Sequence, residues 1–338
     1  MELDERLKLM KRGTVEVLTD DDLEKLLKEK KKPSAYIGRA TTGPLHIGHL
    51  IPLGKVFDFQ NAGVDVKILL ADIHASLDDL KAKWEDLDKR VDYTKKCIEM
   101  SFDWPKKLNF VKGSKFQLEK DYVMDIWKIA TIATVDRTTR AASEVTRMKN
   151  PKTSELVYPI MQALDEQYLG VDIQFGGTDQ RHIMAFAREY LPKIGYEKRV
   201  EIMTPLLSSL LGPDTKMSSS IPDSVIKVYD SEESIKKKIK KAYCPEKVIE
   251  NNPLIQITNL LILPVDGKFS ILRDAKFGGD VEIKTQDELE KMFVEGKLHP
   301  VDLKEAVSSY LINKFKKVRA YWEKNTDVLK DLGEEFLP

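Results

Sequence analysis

Cysteine is nearly absent. Cys97 and Cys244 are the two in 338 residues, at no paired spacing, which excludes a disulfide-stapled scaffold and fits a reduced cytoplasmic setting. Histidine is scarce too, five in all, and their scatter supplies no ligand cluster for a tightly bound metal. No apolar run approaches the length that spans a bilayer, and the charged start Met1-Glu2-Leu3-Asp4-Glu5-Arg6 lacks the layout of a signal peptide. Charge of one sign is missing as well. Lys+Arg and Asp+Glu both number 55, so no global basic field announces nucleic acid, and such a partner would need local patches. The basic stretch 235–241 is one candidate patch, with a solvated helix face as its plainer reading. No internal repeat or low-complexity tract is present. What remains is a chain 42% hydrophobic, long enough for one large core and a second, smaller one.

Two short motifs stand out against this background. His46-Ile47-Gly48-His49 precedes the apolar run Leu50, Ile51, Leu53, Val56 and Phe57, which places it at a helix N-terminus, where free N–H groups and the dipole favour anions. Gly43 and Gly48 let backbone come close to a ligand, and two imidazoles can donate to phosphate oxygens without adding permanent charge. Much later, Lys216-Met217-Ser218-Ser219-Ser220 follows the turn-rich stretch Leu210-Leu211-Gly212-Pro213, which reads as a loop carrying a cation and three hydroxyls. A mobile cation suits charge that develops only in a phosphoryl transition state. Taken singly, the first motif reads also as a helix-start turn with surface histidines, and the second as a solvated loop.

Strands and helices alternate through the first two thirds. A short apolar strand at 35–38 follows a charged helix at 21–32, a helix from about Ile47 closes at Ala62-Gly63, and 66–71 forms the next strand. Helices are expected near 81–100 and 121–147 with a strand at 108–111 between them. A further strand at 172–175 is broken by Gly176-Gly177, after which Thr178-Asp179 caps a helix through Arg188. The pattern predicts an α/β fold with a doubly wound parallel sheet, a Rossmann-like nucleotide-binding core. Beyond the lysine loop the texture turns helical: Asp230-x-x-Glu233 and Thr285-x-x-Glu288 read as capping boxes, and 300–331 is strongly helical. The boundary is set at a catalytic domain of residues 1–225, including an insert around 115–165, and a mainly helical domain of residues 226–338.

The helix expected over 154–169 carries Tyr158, Gln162 and Asp165 at i, i+4 and i+7, one polar stripe among Val157, Ile160, Met161, Leu164 and Leu169. A buried polar stripe needs partners, supplied either by a polar ligand or by an internal network.

At this point the chain resembles the tyrosyl-tRNA synthetases of the compact archaeal and eukaryotic type, within the class I aminoacyl-tRNA synthetases. The resemblance covers essentially the whole length. It is carried by Ala40-Thr41-Thr42-Gly43 with His46–His49, by segments 69–74, 158–165 and 175–181, by 216–220, and by 240–244, 276–279 and 298–303. It implies activation of L-tyrosine by ATP, with Mg²⁺ as the nucleotide's counter-ion, and transfer to tRNA(Tyr). His46, His49 and Lys216 would act on the phosphates. Tyr36 and Asp165 would read the tyrosine hydroxyl, and Tyr158, Gln162 and Gln180 the ammonium. Thr42, Gly43, Gly48, Asp179, Ser218 and Ser219 would hold ATP, with Asp179 on the ribose. Phe277 and Asp302 would meet the anticodon in the C-terminal domain. A homodimer is implied through the insert, to which apolar residues near 126–135 could contribute. Departures exist: Ala40-Thr41-Thr42-Gly43 is the eukaryotic form of its segment, His182 stands where a lysine is usual, and Ser219 leaves Lys216 as the loop's sole cation. The chain also stops before the appended domains of bacterial and animal members. Tryptophanyl-tRNA synthetase, a nucleotidylyltransferase sharing His-x-Gly-His, and a non-catalytic RNA binder are the other readings. Tyr36 and Asp165 argue against the first, the helical tail against the second, and intact His46, His49, Lys216 and Asp179 against the third.

Overall fold

The computed structural model describes residues 1–145, 150–215, 217 and 221–338, the side chain of Phe277 excepted. Lys216, Ser218 and Ser219 therefore lie outside the described residues. The chain forms two compact units, Met1–Gly43 with Asp58–Lys95 and Trp104–Pro205, and Pro44–Phe57 with Lys96–Asp103 and Leu206–Pro338.

Up to residue 205 the elements run α1 (Leu3–Lys11), β1 (Glu16–Leu18), α2 (Asp20–Glu29), β2 (Ser34–Ala40), α3 (Ile47–Asn61), β3 (Asp65–Ala71), α4 (Asp72–Leu77) and α5 (Leu87–Ser101). They continue with β4 (Asn109–Lys112), α6 (Lys120–Ala130), α7 (Val135–Ala142), α8 (Thr153–Tyr168), β5 (Ile173–Gly177), α9 (Arg181–Tyr190) and β6 (Val200–Thr204). All six strands lie in the first unit and order as β1-β6-β5-β2-β3-β4, parallel except for the edge pair β1–β6. The chain winds outward from β2 through β3 to β4, then returns to the other side of β2 for β5 and β6. This is the doubly wound sheet that the alternation predicts, and its direction reverses between β2 and β5. Those two strands pair only at Ala35↔Ile173 and Tyr36↔Gln174, while each runs on past that point. Their carboxyl ends are therefore not laddered together, and a reversal of this kind is where open α/β sheets take ligands.

Local chemistry explains most of the boundaries. α3 ends where Gly63 takes φ 81° and Val64 N–H reaches back to the Phe59 carbonyl at 2.8 Å, closing a left-handed cap. Three expectations shift. The long helix expected over 121–147 is two, because Thr134 caps a new start, its Oγ1 accepting from Arg137 N–H at 3.2 Å. Gly176 and Gly177 do not break β5 but end it, still paired to Met203 and Thr204 of β6. Thr178 and Asp179 make no side-chain cap; they form a 3₁₀ turn, and α9 starts only at Arg181. The core between α6, α7, α8 and α9 gathers Tyr122, Ile126, Ile129, Tyr158, Ile160 and Phe186.

In the second unit, α10 (Glu232–Lys241), α11 (Pro253–Ile257) and α12 (Leu263–Asp266) are followed by the hairpin β7 (Phe269–Ile271)–β8 (Val281–Ile283) and by α13 (Gln286–Val294). The helical tail is α14 (Pro300–Lys314), α15 (Lys316–Lys324) and α16 (Thr326–Leu332). The box at Thr285 and Glu288 forms on α13 as expected. The one at Asp230 does not: Ser231 caps α10, and Asp230 turns inward to the buried Lys238, 2.5 Å away. Phe293, Leu303, Val307, Leu311, Phe315 and Trp322 fill the core. Both cysteines are buried and used as acceptors, Cys97 from Trp322 Nε1 at 3.1 Å and Cys244 from Asn252 Nδ2 at 3.4 Å. No described helix is long and apolar enough to cross a membrane.

One buried feature of the first unit has a direct consequence for stability. Glu166 of α8 and Glu201 of β6 are fully enclosed and engage each other, and none of their oxygens reaches another donor among the described residues. Desolvation pushes both carboxyls up; Glu201 adds repulsion at Glu166, whereas a hydrogen bond from Glu166, with Arg188 and Arg199, partly holds Glu201 down. Raised folded-state values mean that this site favours folding most in acid, and that the benefit is lost as pH climbs from the ordinary glutamate value of 4.5 through the raised ones. Glu166→Gln should flatten that slope, narrowing the fall in thermal midpoint between pH 5 and pH 9 and stabilising the protein at pH 9 by about 1 kcal/mol. Calorimetric melting across that range checks it, and an unchanged slope would show that the pair does not hold a proton.

Candidate active site

The site in the first unit is built where α8 covers β2. Tyr36 projects from β2, 1% exposed, and its Oη donates to the Gln162 carbonyl at 3.3 Å. Burial, reinforced by Asp165, Glu166 and Glu201, holds its phenol well above the usual value, so it stays protonated. Two residues on, Gly38 is exposed although it sits in a central strand. A Cβ built there would meet only Tyr36 Cε2, at 3.8 Å, so open space lies over β2 on the face that Tyr36 shares.

Asp165 is the chemical centre of this pocket. It is 1% exposed, and no lysine or arginine pairs with it among the described residues. Desolvation raises it to about 8, with Gln117 and Tyr122 pulling the other way. Gln117 Nε2 donates to its Oδ1 at 2.8 Å. Tyr122 Oη lies 2.8 Å from the same Oδ1 and 2.7 Å from the Met161 carbonyl. A hydroxyl has one proton and a carbonyl can only accept, so both contacts are hydrogen bonds at once when the carboxyl supplies the second proton. That agrees with the raised value. His74 Nε2 stands 3.8 Å from Oδ2, but burial lowers His74 to about 4, so near neutral pH the two face each other uncharged and form no ion pair. The His74 ring meets Tyr158 edge-on at 4.6 Å.

A second polar chain leaves α8 toward the end of β5. Gln162 Nε2 donates to Gln180 Oε1 at 3.0 Å, and Gln180 Nε2 donates to Asp179 Oδ2 at 3.0 Å. The predicted residues Tyr36, Gln162, Asp165, Tyr158, Gln180 and Asp179 thus all belong to one unit, joined by these contacts and by α8. Thr42 and Gly43 follow β2, with the Thr42 carbonyl accepting from Arg90 Nη1 at 2.6 Å.

His46 and His49 belong to the second unit. Their rings stack at 3.6 Å, tilted 30°. Gly48 N–H donates to His46 Nδ1 at 3.2 Å, and His46 N–H donates to His49 Nδ1 at 3.3 Å. Accepting at Nδ1 assigns the proton of each neutral ring to Nε2, leaving two N–H donors suited to anionic oxygen. Gly48 is needed for contact: a Cβ there would come within 2.7 Å of Met217 Sδ and 3.1 Å of His46 Cε1. In the same unit, Asp302 lies in the first turn of α14, 3.9 Å from Arg273 Nη1. Arg273 also donates to the Gly279 and Lys297 carbonyls, at 3.0 and 2.7 Å, so it ties the turn after Phe277 to the helix carrying Asp302.

Gln117, Tyr122, His74 and Arg273 were not singled out from the sequence. His74 lies inside the matched segment 69–74. Nothing in local pattern separates Gln117, Tyr122 or Arg273 from their neighbours.

Residues 28–316 match the family described as tRNA synthetases class I (W and Y). The tyrosine–tRNA ligase of Archaeoglobus fulgidus is 46% identical over 313 residues, 92% of this chain and 95% of that one. The cytoplasmic tyrosine–tRNA ligase of Gallus gallus is 41% identical over 339 residues, which covers 99% of this chain and 63% of that one. The crystal structure of tyrosyl-tRNA synthetase complexed with L-tyrosine from Archaeoglobus fulgidus superposes with a TM-score of 0.90 at 44% identity, covering 94% of this chain and 99% of that one.

Gln117→Met removes an N–H donor that favours the ionised form of Asp165. The Asp165 pKa should then climb further above about 8, by roughly one unit. Carbon-13 NMR titration of the aspartate carboxyls reads this directly. A value that stays put would mean that the Gln117 contact is not made in solution.

Proposed function

This chain belongs to the class I tRNA synthetases that serve tryptophan and tyrosine, and we infer from that premise and from the Asp165 pocket that it ligates tyrosine to tRNA. It activates L-tyrosine with ATP, forming tyrosyl-adenylate and pyrophosphate, and passes the tyrosyl group to tRNA. The observation that carries tyrosine over tryptophan is the pairing of Tyr36 with Asp165 in a buried site. A phenol both donates and accepts, and the hydroxyl of Tyr36 and the carboxyl of Asp165 can each do both, whereas an indole N–H only donates.

In this reading the substrate phenol meets Tyr36 and Asp165, while Tyr158, Gln162 and Gln180 offer oxygen acceptors to its ammonium. Asp179, at the carboxyl end of β5, takes the ribose, with Thr42 and Gly43 beside the nucleotide. His46 and His49 steady phosphate oxygens through Nε2–H, and Gly48 permits their close backbone. Lys216 meets the departing pyrophosphate, with Ser218 and Ser219 on the same loop. No protein nucleophile is required, because the tyrosine carboxylate attacks the α-phosphate and the protein positions and stabilises charge. Mg²⁺ arrives with ATP; among the described residues no three His, Cys, Asp or Glu side chains gather as a resident metal site. The second unit reads the anticodon of tRNA(Tyr), with Phe277 stacking on a base and Asp302, beside Arg273, accepting from a base edge. The cytoplasm is the compartment that goes with this reading, supported by relatives named cytoplasmic.

Pyrophosphate exchange into ATP, scanned across amino acids, tests the assignment. L-tyrosine should drive it and phenylalanine should fail by orders of magnitude, since it leaves Tyr36 and Asp165 unpaired; tyrosine members of this family are themselves the best-known case of that rejection. Exchange driven equally well by phenylalanine or tryptophan would sink the reading.

The working species in this reading is a homodimer. The apolar stretch near 126–135 divides: Ile126 and Ile129 serve the core, while Trp127, Ile132 and Val135 stay exposed, along with Leu118 and Met124. Such a cluster on one insert suits a self-complementary contact. Trp127→Glu should convert the dimer to monomer in sedimentation at micromolar concentration. A wild-type chain that sediments as monomer while fully charging tRNA would remove the dimer.

A further inference from the structure

The carboxyl end of β2 carries two polar side chains that the contacts described above leave unused. Arg39 is the penultimate residue of β2, half-buried, and its guanidinium makes no hydrogen bond or ion pair among the described residues; its Nε is buried without a partner. Thr41 follows two residues later, 1% exposed, and its Oγ1 is likewise buried without a partner. Side chains alternate along a strand, so Arg39 leaves β2 on the face opposite Tyr36 and Gly38, and Thr41 comes just after the strand ends at Ala40. Both lie beyond Tyr36, where the pairing of β2 to β5 has ended and the sheet reverses direction.

A guanidinium without a counter-charge is costly where water is partly excluded, and here burial holds it below the ordinary arginine value. The ionisable groups whose fields reach it are Tyr93, Tyr158 and Asp179, the last two already placed in the tyrosine and ribose sites. A hydroxyl donor and a forked cation two residues apart at a strand end have the chemistry of an oxyanion seat. Resting on the reading that this chain activates tyrosine with ATP, we propose that Arg39, assisted by Thr41, binds the oxyanion of the reacting pair at the carboxyl end of β2. Two oxyanions meet in that reaction, the tyrosine carboxylate and the α-phosphate of ATP, and both offer the planar or forked oxygens that arginine holds in bidentate fashion. The seat uses other residues than the proposed phosphate donors His46 and His49, and it supplies a fixed cation at the carboxyl end of β2.

The test compares wild type, Arg39→Gln and Arg39→Lys in equilibrium binding of L-tyrosine and of tyramine, which lacks the carboxylate, and in single-turnover adenylate formation at saturating substrates. Wild-type exchange with tyrosine is measured first; its absence would overturn the functional reading and leave the seat's ligand to be sought elsewhere. If the carboxylate is the ligand, Arg39→Gln loses at least tenfold in tyrosine affinity while tyramine binding holds within twofold. If the α-phosphate is the ligand, tyrosine and tyramine bind as in wild type and the single-turnover rate falls at least tenfold. In either case Arg39→Lys recovers part of the loss, and Thr41→Val shows a smaller loss in the same assay. An active wild type with Arg39→Gln inside twofold in every assay would overturn the proposal. So would an equal loss of tyrosine and tyramine binding that lysine does not relieve, since that pattern belongs to a structural side chain.

Discussion

Asp165 sits where solvent hardly reaches it and where, among the described residues, no arginine or lysine answers it, so neutral donors must serve its oxygens. Those groups come from distant parts of the chain. Gln117 donates from the segment between β4 and α6, Tyr122 meets the carboxyl from the first turns of α6, and His74 of α4 stands against Gln117 at 3.4 Å. Once α8 places Asp165 above β2, each of these segments has one position in which the carboxyl is satisfied. Displacing any of them leaves a buried polar group unmet, at about 1–3 kcal/mol. The pocket's shape and the fixing of α4, α6 and α8 are thus one problem with one solution.

The sheet supplies the other half of the site by a different route. Winding outward from β2 on both sides leaves β2 and β5 as neighbours whose crossover connections run in opposite directions. Their ladder is short, ending at Tyr36 and Gln174; beyond it each strand keeps its outer neighbour, β2 with β3 and β5 with β6, but the two are no longer laddered to each other. Tyr36 thus falls at the last position laddered to β5, with Gly38, Arg39 and Thr41 after it, and Asp179 falls just past the end of β5. In the proposed function, this topology sets where the nucleotide lies, and the side chains beyond the β2–β5 ladder set what is recognised there.

Much of this was legible in the sequence because it is written in short periods. Apolar runs punctuated by glycine marked β2, β3, α3 and β5, and the i, i+4, i+7 spacing marked Tyr158, Gln162 and Asp165 as one face. The partners of that face were not legible from pattern. Gln117 and Tyr122 lie more than forty residues before Asp165, and α6 presents Tyr122 as one more core aromatic. The α6–α7 break was missed because Thr134 resembles any helical threonine until its cap is seen. Asp230 failed as a cap because its carboxylate is taken by the buried Lys238, two helix turns on, and by the Lys227 N–H. The contacts of Gln117 and Tyr122 with Asp165 are long-range, and spacing along the chain carries no record of them; the other two misses are local polar contacts that propensity alone does not rank.

The balance of charge in the first unit follows one rule. Groups that face a neutral part of the proposed substrate are themselves neutral: Asp165 holds its proton up to about 8, His74 gives its proton up until about 4, and Tyr36 stays a phenol. A permanent charge at any of these positions would need a counter-charge inside the pocket, and that counter-charge would compete with the substrate for the same donors. Neutral groups avoid this competition but remain expensive to leave unpaired, because the low local dielectric strengthens every contact that is made and penalises every one that is not. Selectivity for a hydroxyl-bearing side chain then needs no steric gate. In the proposed function, a ligand of the same shape without the hydroxyl would leave Asp165 and Tyr36 desolvated with nothing in return, so discrimination would come from what the empty position costs.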